Sequence, residues 1–357
     1  MGITRLADVT GLDRLGIPTF CAIRPGARLV QVANGKGLVD ADARVSALME
    51  AIEVFHAEEP TLPVVTSSFA ALCAAGQAVA KPQALPGFVT GHHYNDDYVV
   101  DWVPAEELHS GARVLVPASA AYPVSPSLYL WWTNGLASGN HLVEATLHAL
   151  YEIIERHAMA TAVLPDPDPL ALLRPRVSYL RLATITSAPV AELCERIARH
   201  DLKLLLATVK SAVPVHTFWA ILLDKKPQAL TTLVNTGYGT HASPTVAAIR
   251  AITEAAQSRL AMIHASREDV AHKPAFTDHD KLSRGYAFFD NIIGGGDWRF
   301  LCDYSRASLR DDYERLVAAL ATCGAGQILR VDLTRAPFNI PVVKVIVPGF
   351  RFDDRLV

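Results

Sequence analysis

Three stretches of this 357-residue chain concentrate glutamates at helical spacing beside apolar residues. They are Ser46-Ala-Leu-Met-Glu50-Ala-Ile-Glu53, then Asn140-His-Leu-Val-Glu144 running on to Glu152 and Glu155-Arg156, then Glu254-Ala-Ala-Gln257-Ser-Arg259. Carboxylates repel one another, so gathering this many calls for a cation among them. Hard divalent ions such as Mg2+ take oxygen ligands of this kind and complete their shells with water and nucleotide phosphates. An ATP-using enzyme is the first hypothesis.

On a helix each residue turns about 100°, which puts Asn140, Glu144 and Glu155 within roughly 60° of one another, with Glu152 just to one side. Val143, Leu147, Leu150 and Ile154 form a neighbouring stripe that buries the helix and leaves its acids at the edge of the core. Glu50 and Glu53, three apart, lie side by side on their own helix. Two such edges facing each other would make a multi-carboxylate cage. A merely solvated face usually interleaves Lys with Glu, and the segment from His141 to Ala160 has no lysine. The small-residue run Thr133-Asn-Gly-Leu-Ala-Ser-Gly139 before this helix, and Gly35-Lys36-Gly37 before the first acidic helix, offer backbone N–H groups to phosphate oxygens.

The elements that must position these residues follow from hydrophobic period. It predicts helices over 40–57, 141–160, 190–200, 244–265 and 308–323, and strands over 28–33, 98–103, 127–132, 204–209, 216–223, 229–235 and 342–347. The fold class is α+β (mixed α/β), and with no Pro- or Ser-rich linker the expectation is one domain over 1–357. Pro165 to Pro175 reads as a turn-rich connection, and Arg284 to Arg299, with Gly294-Gly-Gly296, as a mobile loop over a site or equally as a surface connection without function.

Half of the residues are hydrophobic and the formal net charge is −3, which excludes a disordered chain and a surface built for nucleic acid. The N-terminal residues lack a signal-peptide apolar stretch and no later segment is apolar for long enough to cross a bilayer, so a soluble cytoplasmic protein is expected. Cys21, Cys73, Cys194, Cys302 and Cys323 form no Cys-x-x-Cys pair and read as reduced thiols.

Standard nucleotide and hydrolase motifs are missing. Val30 stands where a P-loop ending at Lys36 would need its first glycine, and there is no His-Glu-x-x-His or Gly-x-Ser-x-Gly. Gly237-Tyr-Gly239-Thr-His-Ala242 imitates a dinucleotide fingerprint, but the next acid, Glu254, lies within a helix and not at a strand tip where a ribose-binding acid belongs.

Taken in order, these pieces resemble the YcaO family of ATP-dependent enzymes that activate backbone amides. Asn34-Gly-Lys36-Gly37 with Ser46-x-x-x-Glu50-x-x-Glu53 resembles its first motif (34–54). Asn134-Gly-Leu-Ala-Ser-Gly-Asn140-x-x-x-Glu144 through Glu155-Arg156 resembles the second (134–156). Gly239-Thr-His241 with Glu254 to Arg259 resembles the third (237–259), and Val342-Val-Lys-Val-Ile-Val-Pro348-Gly349 the closing strand. The resemblance implies a single domain of sheets and helices with a non-P-loop ATP site between acidic helices. Glu50, Glu53, Glu144 and Glu155 would hold Mg2+, while Lys36, Ser46, Asn140, Glu152, Arg156, Gln257 and Arg259 would contact ATP, and Glu254 would serve either group. Val54, Ala137 and His148 depart from the polar residues (Arg, Ser, Gln) that often fill their positions, leaving the acids untouched.

Leu12-Asp-Arg-Leu-Gly-Ile-Pro18, Ile23-Arg-Pro25 and the form of the first motif resemble stand-alone YcaO proteins that accompany a TfuA partner. The closing residues Phe350 to Val357 lack the Pro-x-Pro-x-Pro ending typical of azoline-forming relatives. The implied reaction is thioamide formation on a peptide or protein in post-translational modification (RiPP biosynthesis), with a TfuA-like partner and a homodimeric enzyme. Azoline-forming cyclodehydration of Cys, Ser or Thr is the alternative, and a non-catalytic ATP-binding partner protein the alternative of another class. No general base is identified; His141, His148 and His241 are candidates by proximity.

Overall fold

The structure, a computed structural model, describes residues 1–89, 93–162, 176–227, 229–265 and 279–352. Its strands are β1 (Arg5–Asp8), β2 (Thr19–Ile23), β3 (Val32–Lys36), β4 (Val65–Ser68), β5 (Val99–Glu107), β6 (Arg113–Pro117), β7 (Leu136–Ser138), β8 (Val177–Tyr179), β9 (Leu202–Val209), β10 (His216–Asp224), β11 (Val234–His241), β12 (Leu329–Asp332) and β13 (Val342–Ile346). Its helices are α1 (Asp40–Ala57), α2 (Phe69–Ala74), α3 (Leu142–Ala162), α4 (Ala188–Arg199), α5 (Pro244–His264), α6 (His279–Asp290) and α7 (Leu309–Thr322). The chain divides into two compact units, one of Met1–Ala51 with Thr161–Ser305, the other of Ile52–Ala160 with Arg306–Val357. Each is assembled from two separated stretches, so no linker marks the division. Among the described residues no helix is long and apolar enough to cross a membrane.

The first unit holds two antiparallel sheets, β1-β2-β3 and β11-β10-β9-β8. Ala43, Ala47 and Ala51 recur every four residues along α1, and this smooth stripe packs on Phe20, Ala22 and Ala33 of β2 and β3. The approach is so close that a Cβ on Gly35 would lie 2.0 Å from the Ala47 nitrogen. The same device recurs in the second sheet, where a Cβ on Gly237 would lie 2.2 Å from the Ala255 nitrogen and one on Gly239 2.2 Å from the Ala247 oxygen. All nine residues of β10 are buried, as befits a strand flanked by β9 and β11. The Gly-x-Gly runs are therefore helix-on-sheet contacts: Lys36 ends a strand, in register with Thr19, and does not sit in a phosphate loop.

The second unit is built on one sheet of order β4-β5-β12-β13-β7, with β6 paired to β5. In α3, Ala145, Leu147, Ala149, Leu150, Ile153 and Ile154 are buried, and the glutamates lie at the margin of this apolar face, the arrangement the period implies.

Several expected elements differ. The strand expected over 28–33 begins only at Val32, because Pro25 and Gly26 turn the chain before it. Residues 127–132 form no strand; Tyr129 makes an isolated bridge to Phe88, and the apolar alternation reflects the burial of Leu128 and Tyr129. The run over 229–235 is a 3-10 turn, Leu230–Thr232, before β11. Residues 284–299 are not a free loop: α6 occupies the first part, and the N–H groups of Gly295 and Gly296 both donate to the Tyr179 carbonyl. The proline-rich stretch 165–175 lies outside the described residues.

Candidate functional site

In the first unit, Lys36 at the end of β3 meets the acid of the third motif. Its Nζ lies 2.6 Å from Glu254 Oε2, and Glu254 Oε1 accepts the Tyr238 N–H at 3.2 Å. One turn along α5, the Gln257 amide donates to the Asn34 carbonyl at 2.9 Å. Gln257 Oε1 is buried with no hydrogen-bond partner among the described residues, an acceptor open to a donor such as an amino group on a purine. Glu254 and Gln257 lie about 60° apart around the helix. Ser46 and Glu50 stand on α1, both half-buried.

Arg259 is not brought together with them. It lies about 140° around α5 from Glu254 and is 2% exposed. Its Nε bonds both Asp13 oxygens at 3.2 and 3.1 Å, its Nη1 donates to the Thr232 carbonyl at 2.8 Å, and its Nη2 lies 2.9 Å from Asp224 Oδ2. Arg14 pairs with the other oxygen of Asp224. The guanidinium that the third motif offers to phosphate is thus directed into an internal ion network, whose Asp13 and Arg14 belong to the Leu12 to Pro18 motif.

In the second unit, one short segment of backbone holds three of the acids. The Gly135 N–H donates to Glu152 Oε2 at 3.3 Å, the Ser138 N–H to Glu53 Oε1 at 2.8 Å, and the Asn140 N–H to Glu144 Oε2 at 2.9 Å. The Ser138 hydroxyl also donates to Glu53, and Asn140 Nδ2 donates to Glu144 Oε2 at 3.0 Å. The expectation that this segment points free N–H groups at phosphate is corrected: its donors hold carboxylates, and the Gly139 N–H goes to the Pro341 carbonyl. Gly139 is required by crowding, since a Cβ there would lie 2.6 Å from the Ala145 nitrogen. The acid-holding parts of Gly135 and Ser138 were missed, because their backbone N–H donors carry no side-chain signal and the partner of Ser138, Glu53, is remote in sequence.

Glu155 is 4% exposed, with Arg156 Nε 3.8 Å from its Oε1. Along α3, Glu144 and Glu155 are separated by about 16 Å of helix rise, and Glu152 and Glu155 by about 4.5 Å. The acids therefore form a track along the helix and not one cage. Consistently, no group of three His, Cys, Asp or Glu among the described residues stands close enough to hold a single metal ion. The donor chemistry fits Mg2+: all are hard carboxylate oxygens, of which Glu53 and Glu144 are held by backbone and neutral side-chain donors from Ser138 and Asn140.

Two of the family departures are core positions, Val54 at 4% and Ala137 at 1% exposure. Of the candidate bases, His141 accepts the Glu144 N–H at 3.2 Å through Nδ1, capping α3. His241 Nδ1 accepts the Ser243 N–H at 3.0 Å. Burial, with Arg250 nearby, pushes the His241 imidazolium down to about 4 against the pull of Asp303, so the ring is neutral near pH 7.

The chain is similar to known proteins over most of its length. The family model described as YcaO cyclodehydratase, ATP- and Mg2+-binding, matches residues 34–351. An uncharacterized protein of Methanothermobacter thermautotrophicus is 34% identical over 368 residues, covering 98% of this chain and 90% of the relative. An uncharacterized protein in the tfuA 3' region of Rhizobium leguminosarum bv. trifolii is 29% identical over 393 residues, covering 99% of this chain and 84% of the relative. Among solved structures, YcaO from Methanopyrus kandleri bound with AMPPCP and Mg2+ superposes with a TM-score of 0.76 at 24% identity, covering 98% of this chain and 86% of that one.

Proposed function

The chain belongs to the YcaO family, and from that premise we propose that it uses ATP and Mg2+ to activate a backbone amide of a peptide or protein, for thioamide formation alongside a TfuA-type partner. An amide carbonyl is a poor electrophile. Mg2+-bound ATP supplies the γ-phosphoryl group that turns the amide oxygen into a leaving phosphate as external sulfide adds at carbon, giving thioamide, ADP and phosphate.

The chain's own residues bind and orient. Glu50, Glu53, Glu144 and Glu155 supply the oxygen ligands for Mg2+, and Lys36, Ser46, Asn140, Glu152, Arg156, Glu254 and Gln257 contact the nucleotide. The observation that carries this reading is the segment 135–140, in which the N–H groups of Gly135, Ser138 and Asn140 hold Glu152, Glu53 and Glu144, three acids from α1 and α3. Fixing carboxylates before the ion arrives reduces the reorganisation needed on binding, the electrostatic preorganisation that phosphoryl transfer relies on. Thioamide formation with a TfuA-type partner is supported by the likeness to a protein from a tfuA region, and a homodimer is the proposed assembly. The family description itself favours a second reading, azoline-forming cyclodehydration.

The test incubates the protein with ATP, Mg2+, sulfide, a TfuA-type partner and candidate peptides, reading phosphate release and peptide mass. Exchange of oxygen for sulfur is the expected outcome. Loss of water from Cys, Ser or Thr would favour the azoline reading, and nucleotide binding without phosphate release would favour a non-catalytic ATP-binding partner.

A further inference from the structure

Lys344 occupies the middle of β13, between β12 and β7, and is 4% exposed. Its strand neighbours Val342, Val343, Val345 and Ile346 are buried aliphatic residues, and another would fill this position without the cost of burying an amine. That cost is visible: burial pushes the ammonium down to about 8, with Glu152 opposing the shift. What offsets it is a pair of hydrogen bonds, from Nζ to the carbonyls of Trp132 at 2.7 Å and Asn134 at 2.8 Å, with the Trp131 ring centre 5.8 Å away. Trp132 and Asn134 lie outside any strand. A neutral amine keeps two N–H donors, so both bonds persist when the proton is lost.

These two carbonyls lead directly into the acid-holding segment. Gly135 follows Asn134, donates its N–H to Glu152 and gives its own carbonyl to the Val345 N–H at 2.8 Å. Lys344 is in register with Leu136, and Val342 with Ser138, the residue that holds Glu53. We infer that Lys344 is a positioning residue for the acid track: by tying residues 132 and 134 to β13 it sets the heights at which Gly135, Ser138 and Asn140 present their N–H groups to Glu152, Glu53 and Glu144. Its role in this reading is exerted through the backbone of the segment it ties down. The inference rests on the reading of those acids as Mg2+ and ATP ligands.

The experiment measures Mg2+–ATP binding by calorimetry, and Mg2+ half-saturation of that binding, for wild type, Lys344→Met and Lys344→Gln, each checked for folding by circular dichroism. Lys344→Met should bind at least tenfold more weakly and need more Mg2+. Lys344→Gln, whose amide keeps two N–H donors without charge, should stay within threefold of wild type. A lysine serving the fold alone would lower the melting temperature of Lys344→Met and leave Mg2+ half-saturation unmoved, which overturns the inference. Equal weakening in Lys344→Gln also overturns it, since charge and not the paired bonds would then matter. Should Lys344→Met not fold, Lys344→Gln decides alone, upholding the inference within threefold and overturning it beyond. Wild type that binds no Mg2+–ATP defeats the underlying reading instead, and is recognised before any variant is compared.

Discussion

Lys36 Nζ lies 2.6 Å from Glu254 Oε2, joining the end of β3 to the middle of α5 across 218 positions of sequence. Both side chains are about four-fifths buried, at 20% and 23% exposure. An ion pair so placed is screened less than a surface pair and holds both groups in one geometry. Lys36→Met and Glu254→Gln should each weaken ATP binding, and together should weaken it by less than the sum. A coupling of about 1 kcal/mol in the double-mutant cycle is expected, and strict additivity by calorimetry would show that the pair does not act as a unit at the nucleotide.

Glu144 and Glu155 sit on one face of α3 at different heights, and in the proposed site they would serve different ions or different phosphates. Glu144→Gln keeps an oxygen able to accept the Asn140 N–H, and should preserve the fold while abolishing Mg2+-dependent phosphate release. Glu155→Gln should do the same. Normal turnover in either variant, with the peptide substrate present, would remove that residue from the metal-binding set.

Arg259 tests how far a motif can be carried without coordinates. Asp13 and Asp224 are 6% and 0% exposed, and removing their shared arginine leaves two buried carboxylates short of their counter-ion. Truncating one partner of a buried pair typically costs about 3–5 kcal/mol. Arg259→Ala should therefore lose stability on that scale in denaturant titration. Wild-type stability combined with lost ATP affinity would return Arg259 to the nucleotide.

The parts of this fold legible in the sequence are those whose signal is periodic. Helices α1, α3, α5 and α7 lie within a residue or two of their expected spans, because each carries an apolar stripe over many turns. Of the residues that the family-like motifs named, Lys36 meets Glu254 and Asn140 bonds Glu144, contacts that the sequence did not specify. What could not be read was governed by long-range contact. Gly35, Gly237 and Gly239 resemble phosphate-loop glycines in one dimension, and only packing against Ala47, Ala255 and Ala247 gives them their use. The short strands β7 and β12 carry three or four residues each and owe their existence to pairing with β13, which no local pattern encodes. The ion pairs of Arg259 were hidden for the same reason: its partners Asp13 and Asp224 are remote in sequence.

His241 carries a pH dependence whose sign can be worked out. Its folded-state pKa of about 4 lies below the ordinary histidine value of 6.5, so between these two pH values the unfolded chain binds a proton that the folded chain does not. Stability from this group is intact above pH 6.5, declines as pH falls, and is fully lost below about pH 4. The shift corresponds to about 3 kcal/mol. Denaturant titration should show wild type losing that much more stability between pH 7 and pH 4 than His241→Asn, which cannot titrate and whose side-chain oxygen can still accept the Ser243 N–H. Parallel losses in the two proteins would mean that the imidazole protonates in the folded state as readily as in water, and would reopen His241 as a working base.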